Sequence, residues 1–74
     1  MAEQVNKVSI STEYIRLDSA LKYSGVAATG GEAKILIQEG YVVVNGEPCF
    51  QRGKKLKPGD SFVVDGAVFE VTGS

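Results

Sequence analysis

Read from the N-terminus, apolar positions first alternate with polar ones, then recur at three- and four-residue intervals, then return to short β-branched runs. Residues from Met1 to about Lys7 are polar and without a period, which predicts a frayed start. Val8 and Ile10 alternate with Lys7 and Ser9, the pattern of a short strand. From Thr12 two readings compete: Tyr14, Leu17, Leu21 and Ser24 fall at helical spacing, yet the chain could stay extended as far as Ile15. Leu17 to Ser24 is a helix on either reading. Its apolar stripe is Leu17, Ala20 and Leu21, and Asp18 with Lys22 makes an acid-before-base pair on the outer side, worth a few tenths of a kcal/mol. Gly25 stands where such a helix stops.

Val26-Ala27-Ala28 is a short connector, and Thr29 suits the N-cap of a second helix in which Ala33, Leu36 and Ile37 share one face. Gly31, Lys34 and Gln38 lie on another face, and Gly40 ends the element. Opening a helix with Gly30-Gly31 costs backbone entropy, about 1 kcal/mol per glycine in an interior and less near an end. Either something approaches the backbone closely there, or one glycine fits a tight loop and the other lets the helices pack. The start of this helix would present N–H groups to solvent beside Lys34, a place suited to a phosphate.

Tyr41 to Val44 is a β-branched run ending in Asn45-Gly46, a pair that tolerates the positive φ of a type I′ hairpin turn. The turn sets Val44 against Glu47 and Val42 against Cys49, with Pro48 confining the return strand to a short or edge position. A basic loop from Gln51 to Lys57 follows, closed by Pro58-Gly59 as a type II turn. Ser61 to Val64 and Ala67 to Val71 form a second hairpin around Asp65-Gly66, pairing Phe62 with Phe69 and Val64 with Ala67. Phe62, Val64, Ala67, Phe69 and Val71 then share the core face, while Ser61, Val63, Val68 and Glu70 face solvent. The expected fold class is α+β, two short helices packed on a small antiparallel β-sheet. Residues 1–74 make a single domain with its core at about 8–71.

Composition narrows the chemistry. A chain of 74 residues buries only about 60% of its unfolded surface or slightly more, so a deep catalytic pocket is not expected. With no His and a single Cys, acid/base work by histidine, His-ligated metals and an internal disulfide are excluded. Cys49 reads as a small half-buried apolar residue, and a lone thiol suits a reducing cytoplasm. No apolar run approaches the ~20 residues of a membrane span, and the N-terminus lacks the marks of an export signal. The expectation is a cytoplasmic protein with no membrane partner. The net charge of −1 argues against a general positive field, but Arg52, Lys54, Lys55 and Lys57 place half of the 8 positive charges in one short segment. By itself such a run reads as a solvated loop.

The ordered set Arg16-Leu17-Asp18, Leu21, Gly25, Thr29, Ala33-Lys34, Gly40, Val42, Val44-Asn45-Gly46, Gly59-Asp60 and Phe62 resembles the RNA-binding domain named after ribosomal small-subunit protein S-four. The resemblance runs from about residue 15 to 65, and Thr29 to Lys34 is most similar to the small stand-alone YaaA/YbcJ-like subfamily. It implies an alpha-L fold with RNA lying along the helices and the loop beside them. By position, Arg16 opens the first helix, Thr29 fills the Ser/Thr site at the start of the second and Lys34 the basic site one turn in. Gly30 departs from the pattern: many members carry Arg there, and glycine leaves only N–H groups and the helix dipole.

The resemblance turns the basic run into a contact surface and assembles an RNA-binding set: Arg16, Lys22, Thr29, Gly30, Gly31, Lys34, Arg52, Lys54, Lys55 and Lys57. These residues are expected to hold the phosphate backbone of a structured or double-stranded RNA, whether ribosomal, transfer or small RNA, with ribosome association as one setting. Phe62 and Phe69 read as core; Tyr14, Tyr23, Tyr41 and Phe50 are left open as stacking residues. The alternative is a protein-interaction module docking on a ribosomal or replication/recombination assembly, which the charge of −1 favours and the clustered bases disfavour. No nucleophile–base pair, metal spacing or phosphate-loop motif is present, so no enzyme, cofactor, metal or small-molecule substrate is expected, and the protein is expected to be a monomer. Asp18, Glu32 and Asp60 read as helix-end or turn residues.

Overall fold

The computed structural model describes residues 5–73, and the frayed start expected for Met1–Gln4 lies outside them. Helix α1, Leu17–Tyr23, buries Leu17, Ala20 and Leu21, and helix α2, Gly30–Gln38, buries Ala33 and Ile37. Leu36 packs at the edge of the same core. Gly40 closes α2 at φ +84, where the Gly40 N–H donates to Ile37 O and the Tyr41 N–H to Leu36 O. That pair of bonds is a Schellman motif, which satisfies the last carbonyls of the helix and turns the chain into the sheet.

Strands β1 (Val5–Ile10), β3 (Val42–Val44), β4 (Glu47–Pro48), β6 (Ser61–Val64) and β7 (Ala67–Gly73) form a sheet in the order β1-β7-β6-β3-β4. Both hairpins take the expected register: Val44 opposes Glu47, Phe62 opposes Phe69 and Val64 opposes Ala67. Asn45 and Asp65, each at φ 50, are followed by Gly46 at φ 86 and Gly66 at φ 81, the two positive values a type I′ turn requires. The Phe62 and Phe69 rings stack across the strands with centroids 5.0 Å apart. Phe62, Leu17, Leu21, Ile37, Leu56, Val42 and Val71 are the largest fully buried side chains, so helices and sheet share one core.

Three features of the strand pairing depart from the expectation. The sheet is mixed rather than antiparallel, because β1 lies parallel to β7 and places Val8 beside Val71. Val5 to Lys7, expected to fray, belong to that strand. The basic segment is not a continuous loop: β5 (Lys55–Leu56) pairs with β2 (Ile15–Arg16) in a separate two-stranded ribbon, and Leu56 is fully buried. A two-residue strand is too short to show a period, so only its burial anchors it.

The sheet face turned away from the helices is less polar than expected. Val5, Val68, Val63, Val43 and Pro48 oppose one another in register across all five strands, making one apolar row on that face. Beside it Lys7 pairs with Glu70. Among the described residues, no helix is long and apolar enough to cross a membrane, and no group of three or more metal-binding side chains occurs.

Candidate nucleic-acid interface

The first N–H groups of a helix have no partner within it. In α1 two of them are taken by the basic segment: the Leu17 N–H donates to Lys54 O at 2.8 Å and the Asp18 N–H to Arg52 O at 3.0 Å. Arg16, the N-cap residue, is extended at φ −73 and ψ 149 and pairs with Lys55 across the β2–β5 ribbon. These backbone bonds, with Leu56 buried beneath, fix Arg52, Lys54 and Lys55 against the start of α1. The Arg16 guanidinium lies against the segment at Gly53, where a Cβ would stand in ordinary contact with Nη2 at 3.8 Å. The Lys55 ammonium rests 4.9 Å from the centroid of the Tyr14 ring, a cation–π contact that orders it without neutralising it.

Asp18 is the local counter-charge. Its carboxylate meets Arg16 Nη2 at 3.2 Å, and the expected pairing of Asp18 with Lys22 is not formed. Arg16 competes better because, as N-cap residue, it folds directly over the first turn that carries Asp18. Lys22 is therefore an exposed cation without an ion pair among the described residues.

Lys22 stands in the last turn of α1, and the connector leading to α2 folds back on that turn through the Ala27 N–H donating to Leu21 O at 3.1 Å. Thr29 caps α2 as expected, its Oγ1 accepting from the Glu32 N–H at 3.1 Å. Glu32 turns back, and its carboxylate accepts from the Ala28 N–H at 3.0 Å. The reciprocal bonds are a variant of the capping box, whose Thr-x-x-Glu spacing is visible at Thr29 to Glu32 in the sequence. The helix start is thus less open than expected: a carboxylate already sits beside it, and the N–H groups of Gly30 and Gly31 are the donors left. Lys34 is exposed one turn further on.

The expected residues therefore fall into two groups. Arg16, Arg52, Lys54 and Lys55 are brought together at the start of α1, with exposed Lys57 following Leu56. Lys22, Thr29, Gly30, Gly31 and Lys34 lie toward its other end, and no hydrogen bond or ion pair joins the two groups among the described residues. A helix of 7 residues separates them, about 10 Å along its axis. The sequence left four aromatics unassigned, and all are exposed: Tyr14 at 39%, Tyr23 at 61%, Tyr41 at 60% and Phe50 at 62%. Exposure of this size excludes a core role for the last three.

Residues 8–72 match the family model described as S4 domain, the S-four-type domain of the resemblance. The probable ribosome maturation protein RlbA of Bacillus subtilis (strain 168) is 44% identical over 61 residues, which cover 82% of this chain and 86% of that relative.

Proposed function

This chain belongs to the S4 domain family, and from that premise we propose that it is a non-catalytic RNA-binding protein. It holds the phosphate backbone of a structured RNA across the two clusters at the ends of α1. The observation that carries the reading is the pinning of Arg52, Lys54 and Lys55 onto the N-terminal turn of α1 beside Arg16. Exposed lysines on a mobile loop lose side-chain and backbone freedom on binding, whereas a segment already fixed loses less. The clustering also overcomes the net charge of −1, since fields at contact distance are set by local charge within about a Debye length.

The relative's name connects that protein with ribosome maturation. Ribosomal RNA is accordingly the first RNA to test, and a cytoplasmic setting follows from that choice. The test measures RNA affinity against salt for wild type and for Lys54→Ala/Lys55→Ala. Each phosphate contact contributes roughly 0.7 to 0.9 to the slope of log affinity against log salt, so the double variant should flatten it by about 1.4 to 1.8. Both side chains are exposed, and the fold should be unchanged.

A second reading, docking on a protein of a ribosomal or replication/recombination assembly, is favoured by the apolar row Val5, Val68, Val63, Val43 and Pro48 on the outer sheet face. An unchanged salt slope, or no RNA retained at low salt, would put that reading ahead.

A further inference from the structure

Between the β3–β4 hairpin and the chain leading into the basic segment lies an open groove of about 450 Å³, bordered by Asn45, Glu47, Cys49, Phe50, Gln51 and Lys54. Its volume falls in the range of small-ligand sites and is far too small for a duplex. Phe50 presents its ring there at 62% exposure. The ring is braced from behind, since a Cβ at Gly40 would come within 3.3 Å of Phe50 Cε1. Gly40 thus lets the turn after α2 support an aromatic that the core does not use. Cys49 is half-buried against the core and gives the groove an apolar floor.

The polar groups around this ring divide into committed and free. The Asn45 amide is engaged at both its oxygen and its nitrogen, accepting from the Ser61 N–H at 3.0 Å and donating to Asp60 at 3.2 Å. The side chains of Glu47, Gln51 and Lys54 make no hydrogen bond or ion pair among the described residues. An exposed aromatic face ringed by a free carboxylate, a free amide and a free ammonium fits a flat heterocycle with both donors and acceptors on its edge. The carboxylate of Glu47 repels phosphate from the groove while accepting from a base amino group, so a neutral base enters and the phosphates stay outside.

We propose that this groove receives a single unpaired nucleobase of the bound RNA, stacked on Phe50, with the flanking phosphates on Lys54 and the basic segment. The inference rests on the phosphate-binding reading above and deepens it. Continuity supports it: Lys54 lines the groove, and its carbonyl accepts from the Leu17 N–H at 2.8 Å. An RNA lying on the basic segment therefore passes the mouth of the groove, and a bulged or looped nucleotide can turn in. A fully paired duplex keeps its bases stacked and cannot.

The test uses two RNA probes that differ only in one bulged nucleotide within an otherwise perfect duplex. Wild type should bind the bulged probe more tightly. Phe50→Ala should lose roughly 5- to 150-fold on it, the equivalent of ~1–3 kcal/mol of stacking, and bind the plain duplex as before. Its salt slope should not change, because no phosphate contact is removed. Phe50→Trp should restore the preference, and since the chain has no other Trp its emission reports stacking directly, quenched by the bulged probe and not by the duplex. A Phe50→Ala protein that is folded by circular dichroism and binds both probes like wild type would overturn the proposal, as would Trp emission that both probes quench equally. If Lys54→Ala/Lys55→Ala still flattens the salt slope in that case, the groove fails and the phosphate reading stands; a wild type that retains neither probe at low salt defeats both.

Discussion

Asp60 shows how a motif position can work by holding other residues rather than by touching a ligand. Its carboxylate accepts from the Lys57 N–H at 2.7 Å across the Pro58-Gly59 turn and from the Asn45 amide at 3.2 Å, and its carbonyl accepts from the Val71 N–H at 2.8 Å. Asn45 in turn accepts from the Ser61 N–H. The two turns that begin and end the segment from Glu47 to Lys57 are thereby tied together, so Phe50, Arg52 and Lys54 are carried on chain fixed at both ends. Asp60→Ala removes both acceptors and should lower unfolding stability by about 1–3 kcal/mol, nearer the lower figure because the site is half-exposed to water. Urea unfolding measures this, and RNA affinity should fall although a negative charge has been removed. A rise in affinity with normal stability would mean that Asp60 acts only as a charge. The turn types were legible because positive φ selects residue types, as at Asn45-Gly46 and Pro58-Gly59; the Asn45–Asp60 contact spans 15 positions and leaves no local pattern. Likewise Asp18 with Lys22 satisfies a spacing rule, yet Arg16 reaches the same carboxylate.

At the scale of an element, the glycines that open α2 are not required by the fold. A Cβ on Gly30 would meet nothing within 4 Å, and one on Gly31 would meet only Thr29 Oγ1 at 3.8 Å. Neither residue has positive φ, and neither is a point of close approach between helices. This removes the tight-loop and helix-packing explanations that the sequence left open. Gly30→Ala/Gly31→Ala should therefore stabilise the protein, by about 0.4–1 kcal/mol per site through the unfolded chain. For a domain of this size that is a rise in Tm of several degrees, since each kcal/mol shifts it by roughly 4–8 °C. If the free N–H groups meet phosphate, the same two methyl groups should weaken RNA binding. Higher Tm with unchanged affinity would take the start of α2 out of the interface and leave the Arg16 and Arg52–Lys55 cluster as the binding surface. Both helices were readable from their apolar stripes and glycine stops. The β2–β5 ribbon was not, and with it the sequence reading lost the device that fixes the basic segment to α1.

For the whole molecule, the closing contact is the one between its first and last strands. Hairpins and helices use neighbours along the chain, and the periods of those neighbours predict them; β1 and β7 join residues as far apart as Lys7 and Glu70, 63 positions. Alternation at Val8 and Ile10 marks a strand but encodes neither its partner nor its direction, so the parallel pairing was out of reach and the start of the chain read as frayed. The structure brings Val5 to Lys7 into the sheet beside Val68 to Glu70, extending the strand whose Val8 and Ile10 are buried at 4% and 6% exposure, with Val8 beside fully buried Val71. In a domain with so small a core, one such side chain is a large fraction of a net stability that is typically only about 5–15 kcal/mol. Ile10→Ala should then cost roughly 2–5 kcal/mol, toward the lower end because Ile10 closes its strand, and should shift the urea midpoint without changing the salt slope of RNA binding in the folded protein. The proposed binding clusters stand on α1, α2 and the β2–β5 ribbon, none of which pairs with β1. A first strand left unpaired with β7 would give the opposite pair of results, a cost below about 0.5 kcal/mol, as for a surface position, and amides from Val5 to Ile10 that exchange with solvent as fast as unfolded chain.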